Sequence, residues 1–232
     1  MTAAHHLIGR ADLALIPLTP HLENLDIFLS HCHRRHYPAK TTILYVGHVD
    51  NALRYIIDGS ATMVLEDEGE DRELMLEYLN PGDFIGELGL FEQRPCSTWV
   101  RAKTACDVAE IAYEKFSQLS IQHPNFLLAL NRQITRRLRD TTRKLRNLAF
   151  LDVSGRVRQA LLDLCHQPSA MTHPKGIQIK ITRQEIGLIV GCSREMVGRV
   201  LKQLEKDSQM SSMGKTMVIF DATLKMASGQ SI

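Results

Sequence analysis

Residues 181–206 read ITRQEIGLIVGCSREMVGRVLKQLEK, and this stretch decides how the C-terminal part of the chain folds. Thr182 lies three residues before Glu185, which is the spacing of a capping box at the start of a helix. Gly191 suits the positive φ that ends such a helix, and Ser193 suits the capping position of the next one. The stretch therefore predicts two helices joined by a short turn, a helix-turn-helix.

The second of these helices has an apolar face and a charged face. At about 100° per residue, the apolar side chains gather on one side and the charged side chains lie nearly opposite. The two faces consist of Val197, Val200, Leu201 and Leu204, and of Arg194, Glu195, Arg199 and Lys202. Arginine pairs bidentately with guanine edges and glutamate accepts from cytosine, so such a face near a helix N-terminus suits the major groove of DNA.

The alternative is an amphipathic helix whose charged face is only solvated. The capping box, the glycine turn and the small Gly187 together favour DNA binding. Gly198 predicts a close approach of the second helix to DNA or to the first helix, and the sequence leaves both open. We expect Lys202 to contact phosphate and the charged residues nearer the helix start to read bases. The predicted DNA contacts are Arg183, Gln184, Ser193, Arg194, Glu195, Arg199 and Lys202.

The composition fits an intracellular protein of two modest domains. The chain has 232 residues and a formal net charge of +2, which is uninformative because a DNA-binding protein can confine its basic residues to one surface. The five cysteines are widely spaced without a C-x-x-C motif, which argues against disulfides and metal ligation and predicts a reducing cytoplasm. No apolar run approaches the ~20 residues of a membrane span, so we expect neither export nor a membrane anchor.

The N-terminal half predicts a rolled antiparallel barrel. Residues 1–22 lack clear periodicity and are expected to be an extension, followed by a short helix around residues 22–29. The HCHRRH stretch at 31–36 is interpreted as a basic strand or loop and not as a metal site. Residues 37–111 consist of short β-type runs separated by glycines, with the acidic stretch 66–73 as a hairpin turn.

Within this barrel, residues 84–101, FIGELGLFEQRPCSTWVR, contain the pattern that predicts ligand binding. Gly86 and Gly89 flank Glu87 and Leu88 just before a short predicted helix. In such a turn, backbone N–H groups can hold a phosphate and a carboxylate can hold a ribose hydroxyl. Glycine-rich turns also occur in many other settings, so the pattern alone does not identify the ligand.

Residues 125–147 predict a long helix with one narrow apolar stripe. The stripe consists of Leu127, Leu130, Ile134, Leu138, Thr142, Leu145 and Leu148. A stripe this narrow is typical of a coiled-coil seam, so it predicts that two copies of the helix pair in a dimer. The alternative is a helix that packs only on its own barrel.

The stretch 179–205, IKITRQEIGLIVGCSREMVGRVLKQLE, closely resembles the DNA-binding segment of the Crp/Fnr family of cyclic AMP receptor proteins, and the resemblance extends over about residues 25–220. It implies an α+β fold with an N-terminal cyclic-nucleotide-binding β-roll, a long dimerisation helix and a C-terminal winged helix-turn-helix. It also implies cyclic AMP (cAMP) as effector and a homodimer that binds an inverted-repeat operator.

The resemblance also implies a set of ligand-binding residues. In the family, a glutamate binds the ribose and an Arg-Ser pair binds the cyclic phosphate. Glu87 and Ser97 match, but Cys96 stands at the arginine position. Arg94 is the nearest arginine in that loop, and whether it replaces the missing charge stays open. In the family, polar residues of the long helix, one from each subunit, bind the adenine. The implied ligand-binding residues are Gly86, Glu87, Leu88, Arg94, Cys96, Ser97, Arg137, Thr141 and Thr142.

The family pattern and a change of periodicity near Ser154 divide the chain. The expected parts are an extension 1–22, a β-roll 23–124, a dimerisation helix and hinge 125–153, a winged helix-turn-helix domain 154–221 and a tail 222–232. Residues 177–182 and 214–220 are predicted to be the two arms of a hairpin. Residues 168–176 have turn composition, and the matching loop of the family touches RNA polymerase.

We therefore expect a cytoplasmic, homodimeric transcription activator that uses cAMP, binds double-stranded DNA and RNA polymerase, and is not bound to a membrane. One alternative is a regulator of the same fold that is independent of ligand or senses another molecule, and Cys96 is the residue that discriminates the two. A second alternative is an enzyme that carries a regulatory barrel. The chain has no phosphate loop and no hydrolase or kinase signature, which argues against an enzyme.

Overall fold

The computed structural model describes residues 22–67, 69, 72–92 and 94–220. The predicted extension 1–22, except for Leu22, and the predicted tail 222–232 lie outside these residues. The helices are α1 (Leu25–Ser30), α2 (Glu87–Glu92), α3 (Tyr113–Gln122), α4 (Pro124–Phe150), α5 (Val153–Leu164), α6 (Arg183–Val190) and α7 (Arg194–Lys206). The strands are β1 (His33–Tyr37), β2 (Thr42–Leu44), β3 (Ala52–Asp58), β4 (Ala61–Glu66), β5 (Glu73–Leu79), β6 (Phe84–Ile85), β7 (Trp99–Ala102), β8 (Cys106–Ala112), β9 (Met171–His173), β10 (Gly176–Lys180), β11 (Met210–Met213) and β12 (Thr216–Phe220).

The strands of the N-terminal half form the predicted β-roll. Two four-stranded antiparallel sheets have the orders β1-β8-β3-β6 and β2-β7-β4-β5. One apolar cluster fills the roll between the sheets, and a second, rich in phenylalanine, joins the outer face of β3 and β8 to α1, α3 and α4. Strands β4 and β5 pair from Ala61↔Leu79 to Glu66↔Glu73, so the acidic stretch connects a hairpin as predicted.

The long helix α4 begins with Pro124, which has no N–H to leave unsatisfied at the first turn. The side-chain amide of Gln133 fastens this helix to strand β6, because it accepts from the N–H of Phe84 at 2.7 Å and donates to its carbonyl at 2.9 Å. Leu130 is fully buried in the phenylalanine-rich cluster of its own roll, where it packs with Phe126. Placing Leu130 in a seam between subunits was therefore wrong.

Four exposed leucines of α4 belong to the predicted stripe, and only Leu130 and Thr142 of that stripe leave a coiled-coil register. Leu127, Leu138, Leu145 and Leu148 are each at least 42% exposed. Ile134, also in this register, is partly buried against its own roll. Together with Asn131 and Thr141, these side chains are alternately four and three residues apart, as in a coiled-coil seam. Both alternatives from the sequence thus apply to this helix in part. One side packs on its own roll, and another side stays uncovered, as a helix that pairs in a dimer requires.

The winged domain packs α5, α6 and α7 around one apolar core against the sheet β11-β12-β10-β9. Strands β10 and β12 pair as predicted, but they do not form one hairpin, because β11 precedes β12 in a hairpin of its own. The stretch 168–176, predicted to be a loop, contains strand β9, which forms a hairpin with β10. The three-residue strand was missed because its residues, MTH, have no apolar alternation.

The break between the long helix and the winged domain is short and lies near the end of the predicted helix-and-hinge segment 125–153. Helix α4 continues to Phe150, and α5 begins at Val153. Asp152 caps α5, because its Oδ1 accepts from the N–H of Gly155 at 2.7 Å. The domain boundary near Ser154 stays a prediction, and the non-helical backbone there consists of Leu151 and Asp152.

The helix-turn-helix has the local structure that the sequence predicts. Thr182 and Glu185 form the reciprocal capping box, with the Glu185 N–H donating to the Thr182 hydroxyl at 3.1 Å. Gly191 ends α6 at φ 68°, and Ser193 caps α7 by accepting from the N–H of Met196 at 3.3 Å. A side chain at Gly187 would put its Cβ 2.7 Å from the carbonyl oxygen of Cys192, so only glycine fits beneath the turn.

We predict that Gly187→Ala lowers the free energy of unfolding by about 1–3 kcal/mol, because the Cβ overpacks against backbone that cannot rotate away. Gly198→Ala is the matched control in the second helix. Its Cβ would meet the side chain of Arg183 at an ordinary 3.6 Å, and alanine favours a helix by about 1 kcal/mol. Denaturant unfolding of both variants measures the effect, and equal stabilities would contradict the assigned role of Gly187.

Candidate functional site

The glycine-rich turn of the roll holds its backbone close to β3. Gly86 has φ 85°, and a Cβ there would lie 3.0 Å from the carbonyl oxygen of Ala52. The hydroxyl of Tyr113 donates to the Gly86 carbonyl at 2.6 Å, and the same ring leaves no room for a side chain at Gly89. The next residue, Glu87, starts α2 and is buried, whereas Leu88 is 55% exposed. The turn therefore aims one carboxylate inward.

Arg137 of α4 holds this carboxylate in place. Its Nη1 lies 2.9 Å from Glu87 Oε1, its Nε donates to Glu77 Oε2 at 2.7 Å, and its Nη2 donates to the Phe84 carbonyl at 2.9 Å. Burial lowers the pKa of Arg137, but the neighbouring carboxylates, Glu87 first, raise it above its ordinary value. The pKa of Glu77 is raised by burial and only partly restored by Arg137. The guanidinium is thus charged and joins α4, α2, β5 and β6.

The loop before β7 carries Cys96 and Ser97. Cys96 pairs through its backbone with the loop 47–48, accepting from Gly47 N–H at 2.8 Å and donating to the His48 carbonyl at 2.9 Å. Its side chain is half-buried against the interior of the roll, and burial raises the pKa of the thiol, so it is neutral at pH 7. Ser97 is exposed. Cys96 therefore brings no charge to this side of the roll.

Arg94 does not supply the missing charge in this arrangement. Its side chain is 81% exposed, and its Nε lies 3.9 Å from Glu92 Oε2 at the surface. Arg94 had been predicted as a candidate replacement for the arginine absent at position 96, and the structure instead places it in solvent. Pro95, which lies between the two residues, fixes the local backbone and separates them.

Thr141 and Thr142 lie on exposed positions of α4, beside the uncovered leucines. Thr141 is one helical turn beyond Arg137, so the two share a side of the helix. The hydroxyl of Thr142 donates to the Leu138 carbonyl at 2.8 Å and keeps its acceptor capacity. The structure thus brings Gly86, Glu87 and Arg137 together, and places the threonines where a second subunit would cover them.

The predicted DNA contacts all lie on one exposed part of the winged domain. Arg183, Gln184, Ser193, Arg194, Glu195, Arg199 and Lys202 are exposed. The pKa of Glu195 is lowered by hydrogen bonds from its own backbone and from Ser193, so it is an acceptor at neutral pH. A Cβ at Gly198 would meet the side chain of Arg183 at an ordinary 3.6 Å, so packing on the first helix does not require glycine there, and the predicted close approach to DNA stays a prediction.

The roll contacts the helix-turn-helix directly, which the sequence did not predict. Lys103, just after β7, lies 3.2 Å from Glu185, the acidic member of the capping box, and 4.4 Å from the centroid of the Tyr78 ring. Tyr78 of β5 in turn packs against the core of the winged domain.

Sequence reasoning also missed two charged residues, Glu77 of β5 and Arg54 of β3. The feature that could have identified them is a charged residue among apolar neighbours within a strand.

Two other features bear on the class of protein. Among the described residues, no group of three or more His, Cys, Asp or Glu side chains is placed to hold a metal ion. Of the basic stretch 31–36, residues 33–36 lie in β1, where His36 pairs with Asp107 at 2.7 Å, and His31 ends α1. No helix in the described part of the chain is both long enough and apolar enough to cross a membrane.

Comparison with known families matches both halves of the chain. Residues 34–123 match the model of the cyclic nucleotide-binding domain. Residues 179–208 match the model of the bacterial regulatory proteins of the crp family. The first match covers the β-roll with Glu87 and Cys96, and the second covers the helix-turn-helix.

Similar proteins cover nearly the whole chain. The cAMP-activated global transcriptional regulator Vfr of Pseudomonas aeruginosa is 58% identical over 212 residues, which are 90% of this chain and 99% of that protein. The cAMP-activated global transcriptional regulator CRP of Salmonella typhimurium is 57% identical over 197 residues, 84% of this chain and 93% of that one. Among solved structures, the c-di-GMP responsive global regulator CLP of Xanthomonas campestris has a TM-score of 0.78 at 44% identity, covering 84% of this chain and 97% of its own.

We predict that Arg137→Met lowers the free energy of unfolding by about 3–5 kcal/mol at pH 7, because buried Glu87 loses its guanidinium and Glu77 keeps only the weaker contact of Arg136, at 3.6 Å. The pKa of Glu77 is already raised by burial and rises further without Arg137. A group whose pKa is raised in the folded state favours folding at low pH, so the deficit of the variant shrinks as pH falls from 7 to 5. Arg139→Met, an exposed arginine on the same helix, is the control and changes stability by less than about 0.5 kcal/mol. A deficit that does not depend on pH would refute this account.

Proposed function

Because this chain belongs to the crp family of bacterial regulatory proteins, we propose that it is a homodimeric, DNA-binding transcription activator whose effector is cAMP. The observation that carries the proposal is the buried Glu87 carboxylate, held by Arg137 at the mouth of a glycine turn in the roll. Such a carboxylate suits the hydroxyl of a ribose, because its oxygens accept hydrogen bonds.

cAMP is favoured over other effectors by the relatives. Vfr and CRP, which are named as cAMP-activated, are 58% and 57% identical to this chain, whereas the c-di-GMP responsive protein is 44% identical. A neutral Cys96 in place of arginine removes one charge-assisted contact, and this alone does not make the roll independent of ligand. In the proposed complex, Glu87 binds the ribose, Ser97 and backbone N–H groups bind the phosphate, and Thr141 and Thr142 bind the adenine.

The proposed partners follow from the exposed faces. The charged face of α7 enters the major groove of an inverted-repeat DNA site, and the uncovered leucines of α4 pair two subunits. The segment 168–176, which contains β9 and the turn toward β10, is proposed to contact RNA polymerase. The five cysteines are free thiols, which suits the proposed cytoplasmic location.

Calorimetric titration of the purified protein tests the effector. We predict saturable binding of cAMP with one site per chain, and weaker binding of c-di-GMP in the same experiment. Glu87→Gln removes the acceptor charge and weakens cAMP roughly 10- to 150-fold, by the loss of a charge-assisted hydrogen bond. Absence of cAMP binding to the wild-type protein would overturn the proposal, and tighter binding of c-di-GMP would replace the effector.

Two substitutions in α7 separate base reading from phosphate contact. With a DNA site selected from random sequence by the wild-type protein, we predict that Arg199→Ala costs about 1–3 kcal/mol and relaxes preference at one base pair. Lys202→Ala weakens all sequences alike and lowers the slope of log affinity against log salt by about 1. Uniform weakening by Arg199→Ala across sequences would contradict its role in reading bases.

Leu138→Asp tests the dimer. The side chain is 68% exposed in one subunit and lies in the middle of the apolar stripe, so two copies would place like charges in an apolar seam. We predict a monomer in sedimentation and a loss of operator binding, since each monomer holds one half-site. Arg139→Asp, one residue further and about 100° around the helix, is the control and stays dimeric. An intact Leu138→Asp dimer would exclude this seam.

A further inference from the structure

The loop of Cys96 and the turn of Gly86 meet at a buried guanidinium, that of Arg54 on β3. The backbone of Cys96 pairs with the loop at 47–48, and Asp50 follows two residues later, with its carboxylate 3.4 Å from where a Gly86 Cβ would lie. Arg54 reaches this point, because its Nη1 pairs with Asp50 and also donates to the Ala52 carbonyl at 3.2 Å. That carbonyl is the one that crowds Gly86.

The nitrogens of the Arg54 guanidinium bind two different carboxylates. Its Nε donates at 2.9 Å to Glu110, which also accepts from the Tyr37 hydroxyl at 2.7 Å. Its terminal nitrogens both face Asp50, with Nη2 at 3.2 Å from Oδ1. Glu110 is part of the sheet, whereas Asp50 ends an exposed loop whose residues 47–49 face solvent. Glu110 holds Nε, and the two terminal nitrogens bind Asp50, which lies on a loop.

The side chain of Arg54 is only 12% exposed, and a buried guanidinium requires a counter-charge. Glu110 and Asp50 supply it together, Glu110 at Nε and Asp50 at the terminal nitrogens. A phosphate offers the same pair of oxygens in the same geometry, since guanidinium binds carboxylate and phosphate through the same fork. The carboxylate of Asp50 therefore occupies a position that suits a phosphate, beside Cys96 and Gly86.

We propose that Arg54 supplies the charge that neutralises the cyclic phosphate of the effector, in place of the arginine that the family has where this chain has Cys96, and that Asp50 holds the guanidinium until the phosphate displaces it. This inference rests on the proposed function, because it assigns one subsite of the cAMP pocket. It also gives Asp50 a role, as an internal competitor that lowers the affinity for cAMP.

The test compares cAMP with adenosine, which lacks the phosphate, by calorimetry on the full-length protein. Arg54→Gln keeps hydrogen-bond donors for both carboxylates but removes the charge. It is expected to weaken the binding of cAMP roughly 10- to 150-fold and to leave the affinity for adenosine unchanged. Arg54→Lys is expected to retain most of the preference for cAMP over adenosine. Arg101→Gln is the matched control, because two carboxylates, Glu66 and Glu73, likewise hold Arg101. This variant is expected to leave cAMP affinity unchanged.

Two further variants address Asp50 and folding. Asp50→Asn is expected to strengthen cAMP binding, and this gain disappears in the Arg54→Gln background, because the competitor then has no guanidinium to occupy. Arg54→Gln with Cys96→Arg is expected to regain cAMP affinity, which shows that the single variant is folded and lacks only the charge. If Arg54→Gln does not fold alone, Asp50→Asn with Arg54→Gln removes both charges and is compared with Asp50→Asn in the same titrations.

The outcomes separate the two proposals. Wild-type protein that binds cAMP while folded Arg54→Gln binds it equally well overturns the role of Arg54 and leaves the proposed function standing. A gain from Asp50→Asn that persists in the Arg54→Gln background also overturns it. Wild-type protein that binds no cAMP overturns both. Equal loss of cAMP and adenosine would show that Arg54 supports the shape of the roll and does not bind phosphate.

Discussion

The ion pairs of Arg137 are the constraint on which the ligand-binding half depends. One guanidinium on α4 joins Glu87 at the start of α2, Glu77 on β5 and the carbonyl of Phe84 on β6. Each carboxylate would be costly to bury alone, so Glu87 and Glu77 keep these positions only when the long helix is docked. The same helix carries the uncovered leucines and continues to Phe150, two residues before the cap of the winged domain's first helix.

The second junction runs from the roll to the helix-turn-helix. Lys103 pairs with Glu185, whose other oxygen closes the capping box with Thr182, so the start of α6 is held both within its motif and from the roll. The pKa of Glu185 is lowered because hydrogen bonds from Thr182 and the charge of Lys103 outweigh its burial. Tyr78 extends the contact by packing against the winged core. The roll is therefore in direct contact with α6, the helix that positions α7.

The sequence predicted those parts of the fold that have local causes. The capping box, the turn at Gly191 and the apolar face of α7 depend on residues a few positions apart, and they are present as predicted. The register of the α4 stripe was wrong at Leu130, because periodicity cannot show which apolar side a neighbouring roll covers. Strand β9 and the separate hairpin of β11 and β12 were missed, since β9 and β11, MTH and MSSM, are too short to show an apolar alternation. For the site, family resemblance supplied Glu87 and Arg137, but Arg54 and Asp50 come together only in the folded roll.

We infer that binding of cAMP in the roll and binding of DNA by α7 are coupled through α4 and the Lys103 contact. Such coupling is reciprocal, so cAMP must change operator affinity by the same factor as the operator changes cAMP affinity. The direct measurement is a pair of titrations on the full-length dimer, of operator with and without saturating cAMP and of cAMP with and without operator. The account predicts tightening in both by one shared factor, on the order of 5- to 150-fold. Operator affinity that stays the same with and without bound cAMP would contradict it.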